Sequence, residues 1–243
     1  WRERVSKVME DLSPKRAYKL KKFDEINPFE FIIKLYSKMD SNDLVVIDGG
    51  GCALYAGFQC IPAECSFDVI CSSSISAMGT GLPETIGSAD ENDKNKICII
   101  GDGSLMFNIQ ELQTIKTNLK SCSIIVLNNR GYQAIRLTQK GFLESRYYGT
   151  SEGKGGIEIP EIEKIAGTFG YEYIRVAKKQ QLEEQLEKII SNRDKHQLVE
   201  LIVDPYHENL YSAFFLENKD GTRSQQQLHI MEPFEDYIYP VEK

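Results

Sequence analysis

Two short apolar runs, Lys96-Ile97-Cys98-Ile99-Ile100 and Ser123-Ile124-Ile125-Val126-Leu127, bracket a stretch where Ile109, Leu112, Ile115 and Leu119 recur at helical spacing. Runs so rich in β-branched residues, apolar on consecutive positions, suit parallel strands covered on both faces. Parallel neighbours need a crossover connection, so the segment predicts a βαβ unit of right-handed sense. The first run ends in Gly101-Asp102-Gly103-Ser104 and the second in Asn128-Asn129-Arg130-Gly131. A chain built on this unit carries its polar chemistry at the strand ends.

Asp102 and Asn129 each follow the carboxyl end of a strand, the edge at which open α/β sheets bind ligands. A carboxylate, an amide oxygen and a carbonyl left accessible at Gly131 are hard donors that suit magnesium or calcium and not zinc. Magnesium takes few protein oxygens and fills its sphere with water and bound phosphate. Gly103 and Ser104 open the following helix with backbone N–H groups suited to an anion. The unit therefore reads as a metal and diphosphate site; the plainer alternative is a βα turn with a capping aspartate.

Gly101-Asp102-Gly103 followed at this interval by Asn128-Asn129 resembles the magnesium–diphosphate motif of thiamine diphosphate enzymes. That resemblance implies that Asp102 and the Asn129 side chain bind Mg2+, with the main-chain carbonyl of Gly131 as third ligand. Gly101, Gly103, Ser104 and Tyr132 then join the cofactor-binding set, since in relatives the residues after the motif flank the diphosphate or line the substrate channel.

Upstream, Pro28 to Met39 predicts a helix opened by proline, and Leu44-Val45-Val46-Ile47 a strand ending in Asp48-Gly49-Gly50-Gly51. Three glycines let a loop approach a ligand; by the resemblance Gly50 and Gly51 touch the diphosphate, the alternative being a plain flexible turn. Phe67 to Cys71 is a further strand, leading into Ser76-Ala77-Met78-Gly79-Thr80-Gly81-Leu82-Pro83. This stretch resembles the acetolactate synthase pattern before a small-residue helix. It implies that Met78 props the cofactor between its two rings and that the Ser76 carbonyl holds the pyrimidine amino group. Ser76 stands where glycine is common, a departure that a main-chain contact tolerates.

After Gly131, Tyr132-Gln133-Ala134-Ile135-Arg136 continues as a helix start. Arg136 in it either reads a substrate carboxylate or, the preferred reading, is an exposed helix arginine. Tyr147 to Gly156 has the composition of a mobile loop able to close over the site. Ile159-Pro160 opens another helix, containing Ile162, Ile165, Ala166 and Phe169 and capped by Gly170; Tyr171 to Val176 is a strand, Gln181 to Ser191 an amphipathic helix and Leu198 to Val203 the last strand. The fold class is thus α/β: a single doubly wound domain over 28–205, its mostly parallel sheet flanked by helices. Residues 1–27 read as a linker or interdomain segment and 206–243 as a C-terminal tail. Within the tail, Leu228 to Pro240 resembles that of acetolactate synthase-like proteins from surface-polysaccharide gene clusters.

A net charge of −7 without a dense basic stretch argues against a nucleic-acid partner. No apolar run approaches the ~20 residues of a membrane span, and no signal peptide opens the chain. The six cysteines form no C-x-x-C pair, which points to buried free thiols in a reducing cytoplasm and not to disulfides or a zinc site. His196, His207 and His229 have no partner at a recognisable spacing, and none is assigned to catalysis. Starting at Trp1 without methionine, the sequence reads as a fragment or a processed product.

The resemblance implies the cofactors thiamine diphosphate and Mg2+, with FAD an option elsewhere in a longer protein. It further implies decarboxylation of a 2-oxo acid such as pyruvate, with optional ligation of the product to a second carbonyl. The activating glutamate of the family lies on a separate pyrimidine-binding domain, usually from the other subunit of a homodimer or homotetramer. The segment before Asn27 is too short to hold it, so no catalytic residue is assigned here and the chain alone is expected to lack turnover. The alternatives are a subunit of a split decarboxylase or 2-oxoacid oxidoreductase, and a cofactor-binding remnant without activity.

Overall fold

The computed structural model describes residues 2–20, 26–90, 94–153, 155–213, 215–225, 231–234 and 236–237. Helices α1 (Arg2–Asp11) and α2 (Pro14–Leu20) belong to a small unit with the residues from Asn209 onward, while 23–208 form a larger one.

The larger unit opens with α3 (Pro28–Tyr36). Asn27 caps it, its Oδ1 accepting from the N–H groups of Phe29 and Glu30, and Pro28 occupies the first turn where no N–H is needed. Then follow β1 (Asp43–Ile47), α4 (Gly51–Gln59), β2 (Asp68–Cys71), α5 (Gly81–Gly87), β3 (Asn95–Gly101), α6 (Asp102–Leu105), α7 (Glu111–Asn118) and β4 (Cys122–Asn128). Next come α8 (Gln133–Phe142), α9 (Ile162–Phe169), β5 (Glu172–Val176), α10 (Leu182–Ser191) and β6 (His196–Ile202).

The six strands pair in the order β2-β1-β3-β4-β6-β5, and every pairing is parallel. β1, β3, β4 and β6 are buried along most of their length, whereas the edge strands β2 and β5 are only partly covered. That difference is why the central strands read as unbroken apolar runs. Alternation across the pleat sends Cys98, Ile100, Ile124, Val126 and Leu198 to one face, where Leu82 of α5, Leu112 and Ile115 of α7 and Ile162 and Ala166 of α9 cover them. On the other face α4 lies so close that a Cβ on Gly57 would meet Ile47 Cγ2 at 2.9 Å, and Tyr36 of α3 donates to the Gly57 carbonyl at 3.1 Å. α10 is joined to α3 by the Lys34–Glu183 pair and to the turn after α3 by the Lys38–Glu187 pair.

Two local readings change. Gly49 to Gly51 is hardly a loop: Gly50 is the N-cap of α4 and Gly51 its first residue, a helix too rich in small residues to show a clear apolar stripe. The β3–β4 crossover is split into the single turn α6 and the separate helix α7. Gly170 does end α9 in the left-handed conformation at φ +69°, with its carbonyl accepting from Lys116.

In the small unit, β7 (Ser212–Ala213) pairs with β10 (Met231–Glu232), and β8 (Phe215–Glu217) with β9 (Arg223–Gln225), both antiparallel. Tyr211 donates to the Leu12 carbonyl at 2.7 Å and Tyr237 to Asp11 at 3.0 Å. Of the tail pattern from Leu228 to Pro240, residues 228–230, 235 and 238–240 lie outside the described residues, as does His229.

Candidate cofactor-binding site

The chain leaves β1 for the sheet edge at β2 and then returns across β1 to β3, so the strand order reverses between β1 and β3. In doubly wound sheets that reversal opens a crevice at the carboxyl ends of the strands. Here it lies between the turns after β1, β3 and β4.

At the end of β1, Asp48 is fully buried, and its two oxygens accept from the N–H groups of Gly50 at 2.7 Å and Gly81 at 2.9 Å. It thereby ties the glycine turn to the start of α5. Gly49 donates to Thr80 Oγ1 at 3.3 Å, and a Cβ on Gly49 would meet the Ala77 carbonyl at 2.4 Å. The Gly49–Gly51 turn is thus fastened against the Ser76–Ala77 peptide. Asp48 escaped the sequence reading; its place between a strand end and three glycines was the available signal.

At the end of β3, Asp102 is 1% exposed and receives Gly103 N–H at 2.7 Å and, from the end of β4, Gly131 N–H at 3.0 Å. β3 and β4 are direct neighbours, with Gly101 opposite Leu127. Burial pushes the Asp102 pKa up to about 7, against the pull of those two N–H groups and of the Arg136 charge. A carboxylate so poorly compensated gains from a bound cation. Asn129 is fully buried, and neither atom of its side-chain amide has a hydrogen-bond partner, although the Cys52 thiol lies close enough to interact with it. A buried amide with both atoms unsatisfied is costly. A metal ligated by its oxygen would relieve half of that cost, so this donor set fits a hard divalent cation.

Of the residues expected to bind cofactor, Gly50, Gly51, Met78, Gly101, Asp102, Gly103, Ser104, Gly131 and Tyr132 line one cleft. Asn129, fully buried, and Ser76, exposed, are not among the residues that line it. Small residues are needed here: a Cβ on Gly103 would meet the Tyr132 ring at 2.4 Å, and one on Gly50 would meet Ser104 Oγ at 2.2 Å. Met78 is half-buried, its turn fixed by Asn108 Nδ2 donating to the Gly79 carbonyl at 2.8 Å. Ser76 adopts φ +52°, the left-handed region that glycine enters without strain, which accounts for the frequency of glycine at its place in the pattern.

One neighbouring expectation is overturned. Arg136 is not exposed but 2% accessible, its guanidinium bound to main-chain carbonyls and stacked on Tyr206 with 5.6 Å from Cζ to the ring centroid. The stretch after Tyr147, read as a mobile loop, is fastened at its middle. Tyr132 N–H donates to the Thr150 carbonyl at 3.0 Å, Thr150 Oγ1 to Gln139 at 2.8 Å, and Gln139 to the Tyr148 carbonyl at 3.1 Å. Gly131 pairs with Ser151 as an antiparallel bridge, where a Cβ on Gly131 would meet the Thr150 carbonyl at 2.2 Å. Long-range contacts of this kind leave no local sequence pattern. All six cysteines are free; burial raises the thiol pKa of Cys52, Cys60, Cys98 and Cys122. His207 is buried beside Cys52, with Nδ1 2.7 Å from the Asp204 carbonyl, and burial lowers its pKa. Neither side chain is activated.

A parallel sheet with its crevice at the β1/β3 reversal, a buried aspartate and an unsatisfied asparagine define a cofactor-binding α/β domain. Residues 49–201 match the family described as "Thiamine pyrophosphate enzyme, C-terminal TPP binding domain", and the chain belongs to that family. It is 34% identical over 137 residues to the acetolactate synthase isozyme 2 large subunit of Escherichia coli K12, covering 56% of this chain and 24% of that protein. The isozyme 1 large subunit of the same organism is 30% identical over 182 residues, 74% of this chain and 31% of the relative. The large subunit from Cyanidium caldarium is 36% identical over 121 residues, 49% and 20% respectively. The match covers no more than about a third of these relatives. The chain is therefore a C-terminal thiamine diphosphate-binding domain, similar over this stretch to acetolactate synthase large subunits.

Proposed function

We propose that this domain holds the diphosphate and metal end of thiamine diphosphate in an enzyme that decarboxylates a 2-oxo acid such as pyruvate, with ligation of the product to a second carbonyl as a further step. The observation that carries the reading is the pairing of Asp102, buried without a counter-ion in contact, with the unsatisfied Asn129 amide on adjacent strand ends. When bound, the cofactor supplies the electron sink for loss of carbon dioxide. The chain's own residues orient and neutralise it. Asp102, Asn129 and the Gly131 carbonyl would hold Mg2+. The N–H groups at Gly51 and Ser104 would face the diphosphate, with Gly50 and Gly103, whose N–H groups are taken by Asp48 and Asp102, allowing its close approach, and Met78 with the Ser76 carbonyl would support the remainder. The activating glutamate would come from a pyrimidine-binding domain of the same or another chain in a homodimer or homotetramer. FAD would belong to such other domains.

Among the described residues no helix is long and apolar enough to cross a membrane, which is compatible with a cytoplasmic enzyme. Titrating the assembled protein with thiamine diphosphate in the presence and absence of Mg2+ by calorimetry tests the site: metal-dependent binding is expected, and no heat under either condition refutes it. Pyruvate consumption by this chain alone should be absent and should appear with the pyrimidine-binding domain. Turnover by the chain alone would overturn the division of labour.

A further inference from the structure

Arg136 is the charged residue of α8 that is buried although the cofactor reading gives it no role. Placing a guanidinium at 2% exposure is costly unless its protons find acceptors. Asp102 acts on it only through space, and no carboxylate among the described residues makes an ion pair with it. Its Nη groups go instead to the turn that ends β4 and to Ser151: Nη2 donates to the Asn129 carbonyl at 2.9 Å, and Nη1 reaches the Arg130 carbonyl at 3.4 Å and Ser151 Oγ at 3.3 Å, while Nε is left without a partner.

That turn is unfavourable by itself. Arg130 sits at φ +57° and Gly131 at φ +138°, and a non-glycine residue in the left-handed region is strained and persists only where its surroundings enforce it. Asn128 Oδ1 accepts Arg130 N–H at 3.1 Å from one side; Arg136 takes two successive carbonyls from the other. With the Asn129 main chain held in this way, its side-chain amide is left without a partner, available to a ligand.

We propose that Arg136 is the positioning residue of the metal site. It clamps the Asn129–Arg130–Gly131 turn by two main-chain carbonyls, so that the Asn129 amide and the Gly131 carbonyl stand ready beside Asp102, and it ties this turn to the Ser151 segment. The planar fork of arginine can serve two carbonyls at once, whereas a lysine ammonium keeps the charge but not that geometry. The role rests on the cofactor reading above.

The test uses the assembled protein and the variants Arg136→Gln, Arg136→Lys and, as a packing control, Tyr206→Leu, which removes the ring beneath the guanidinium but none of its hydrogen-bond acceptors. Mg2+ affinity is measured calorimetrically at saturating thiamine diphosphate, the metal-free melting temperature by circular dichroism, and KM for the 2-oxo acid by turnover. Arg136→Gln should weaken Mg2+ by about 10–100-fold, the range found when groups that orient metal ligands are removed. Arg136→Lys should fall between it and the unmodified protein, and Tyr206→Leu should lower the melting temperature without loss of Mg2+ affinity. If Arg136→Gln does not fold, Arg136→Lys against Tyr206→Leu decides. Unchanged Mg2+ affinity in the arginine variants overturns the proposal, as does an equal loss in Tyr206→Leu. A raised KM with unaltered Mg2+ affinity would instead assign Arg136 to the substrate carboxylate. Failure of the unmodified protein to bind thiamine diphosphate would refute the functional reading and this role with it, whereas binding by the unmodified protein with unchanged Mg2+ affinity in the arginine variants refutes this role alone.

Discussion

Asp43 and Asp102 stand at opposite edges of the same sheet, one starting β1 and the other following β3, and both are within 1% of full burial. Asp43 is met by Arg193 Nη1 at 2.8 and 3.1 Å, by Asn95 Nδ2 at 3.1 Å and by the Asp40 N–H at 2.9 Å, while Arg193 Nη2 also donates to the Lys38 carbonyl. Asp102 receives two main-chain N–H groups and touches no cation. A buried carboxylate with its own arginine is part of the architecture. One left without a counter-ion, beside an unsatisfied amide, is a vacancy in the charge balance that a ligand can fill.

The contrast can be broken most forcefully at the amino-terminal edge. Arg193→Met leaves Asp43 buried without its cation and should destabilise the larger unit by about 3–5 kcal/mol, as chemical denaturation would report, while cofactor affinity of the molecules still folded is unaltered. The mirror change, Asp102→Ala, should do the reverse: Mg2+-dependent cofactor affinity falls by more than about 100-fold, and metal-free stability at pH 8 does not decrease. A stability loss in Asp102→Ala as large as that in Arg193→Met would erase the distinction.

Asn129→Ala sharpens the same point with a smaller effect. Metal affinity should drop by about 10–100-fold, and because an unsatisfied buried amide is removed, metal-free stability should hold or rise. A destabilised variant would mean that the amide has a structural partner in solution.

The mildest expected effect is on pH. Asp102 is raised in the folded chain from 3.8 to about 7, so between those values the metal-free fold binds more protons than the unfolded chain. Its contribution to stability therefore declines as pH rises through that window and levels off above about 7. Metal binding needs the ionised carboxylate, so Mg2+ affinity should rise as pH climbs towards 7 and then flatten. Asp102→Asn should abolish both trends; a pH-independent affinity in the unmodified protein would sink the assignment.

The βαβ unit, the order of the six strands along the chain and the Gly-Asp-Gly and Asn-Asn signatures were legible in the residues themselves. Period and composition are local properties, and a strand buried on both faces has to be apolar throughout. The cleft was legible as far as each of its walls is announced by glycines at a strand end. α4 was not, because Gly51 to Gln59 mixes small and apolar residues without a clean stripe. Nor was Arg136: on a helix surface an arginine looks the same whether it faces water or the back of the next turn.

The sequence by itself therefore determined the parallel sheet and the chemistry available at its carboxyl edge. Tertiary structure alone decided which of the polar groups there are spent on one another and which are left over. Asp48 is consumed by Gly50 and Gly81, Asp43 by Arg193, and the Nη groups of Arg136 by the Asn129 turn and Ser151, while Asp102 and the Asn129 amide stay under-satisfied. The reason is physical: desolvation and hydrogen-bond partnering depend on neighbours distant in sequence, and only the folded chain brings those neighbours within reach.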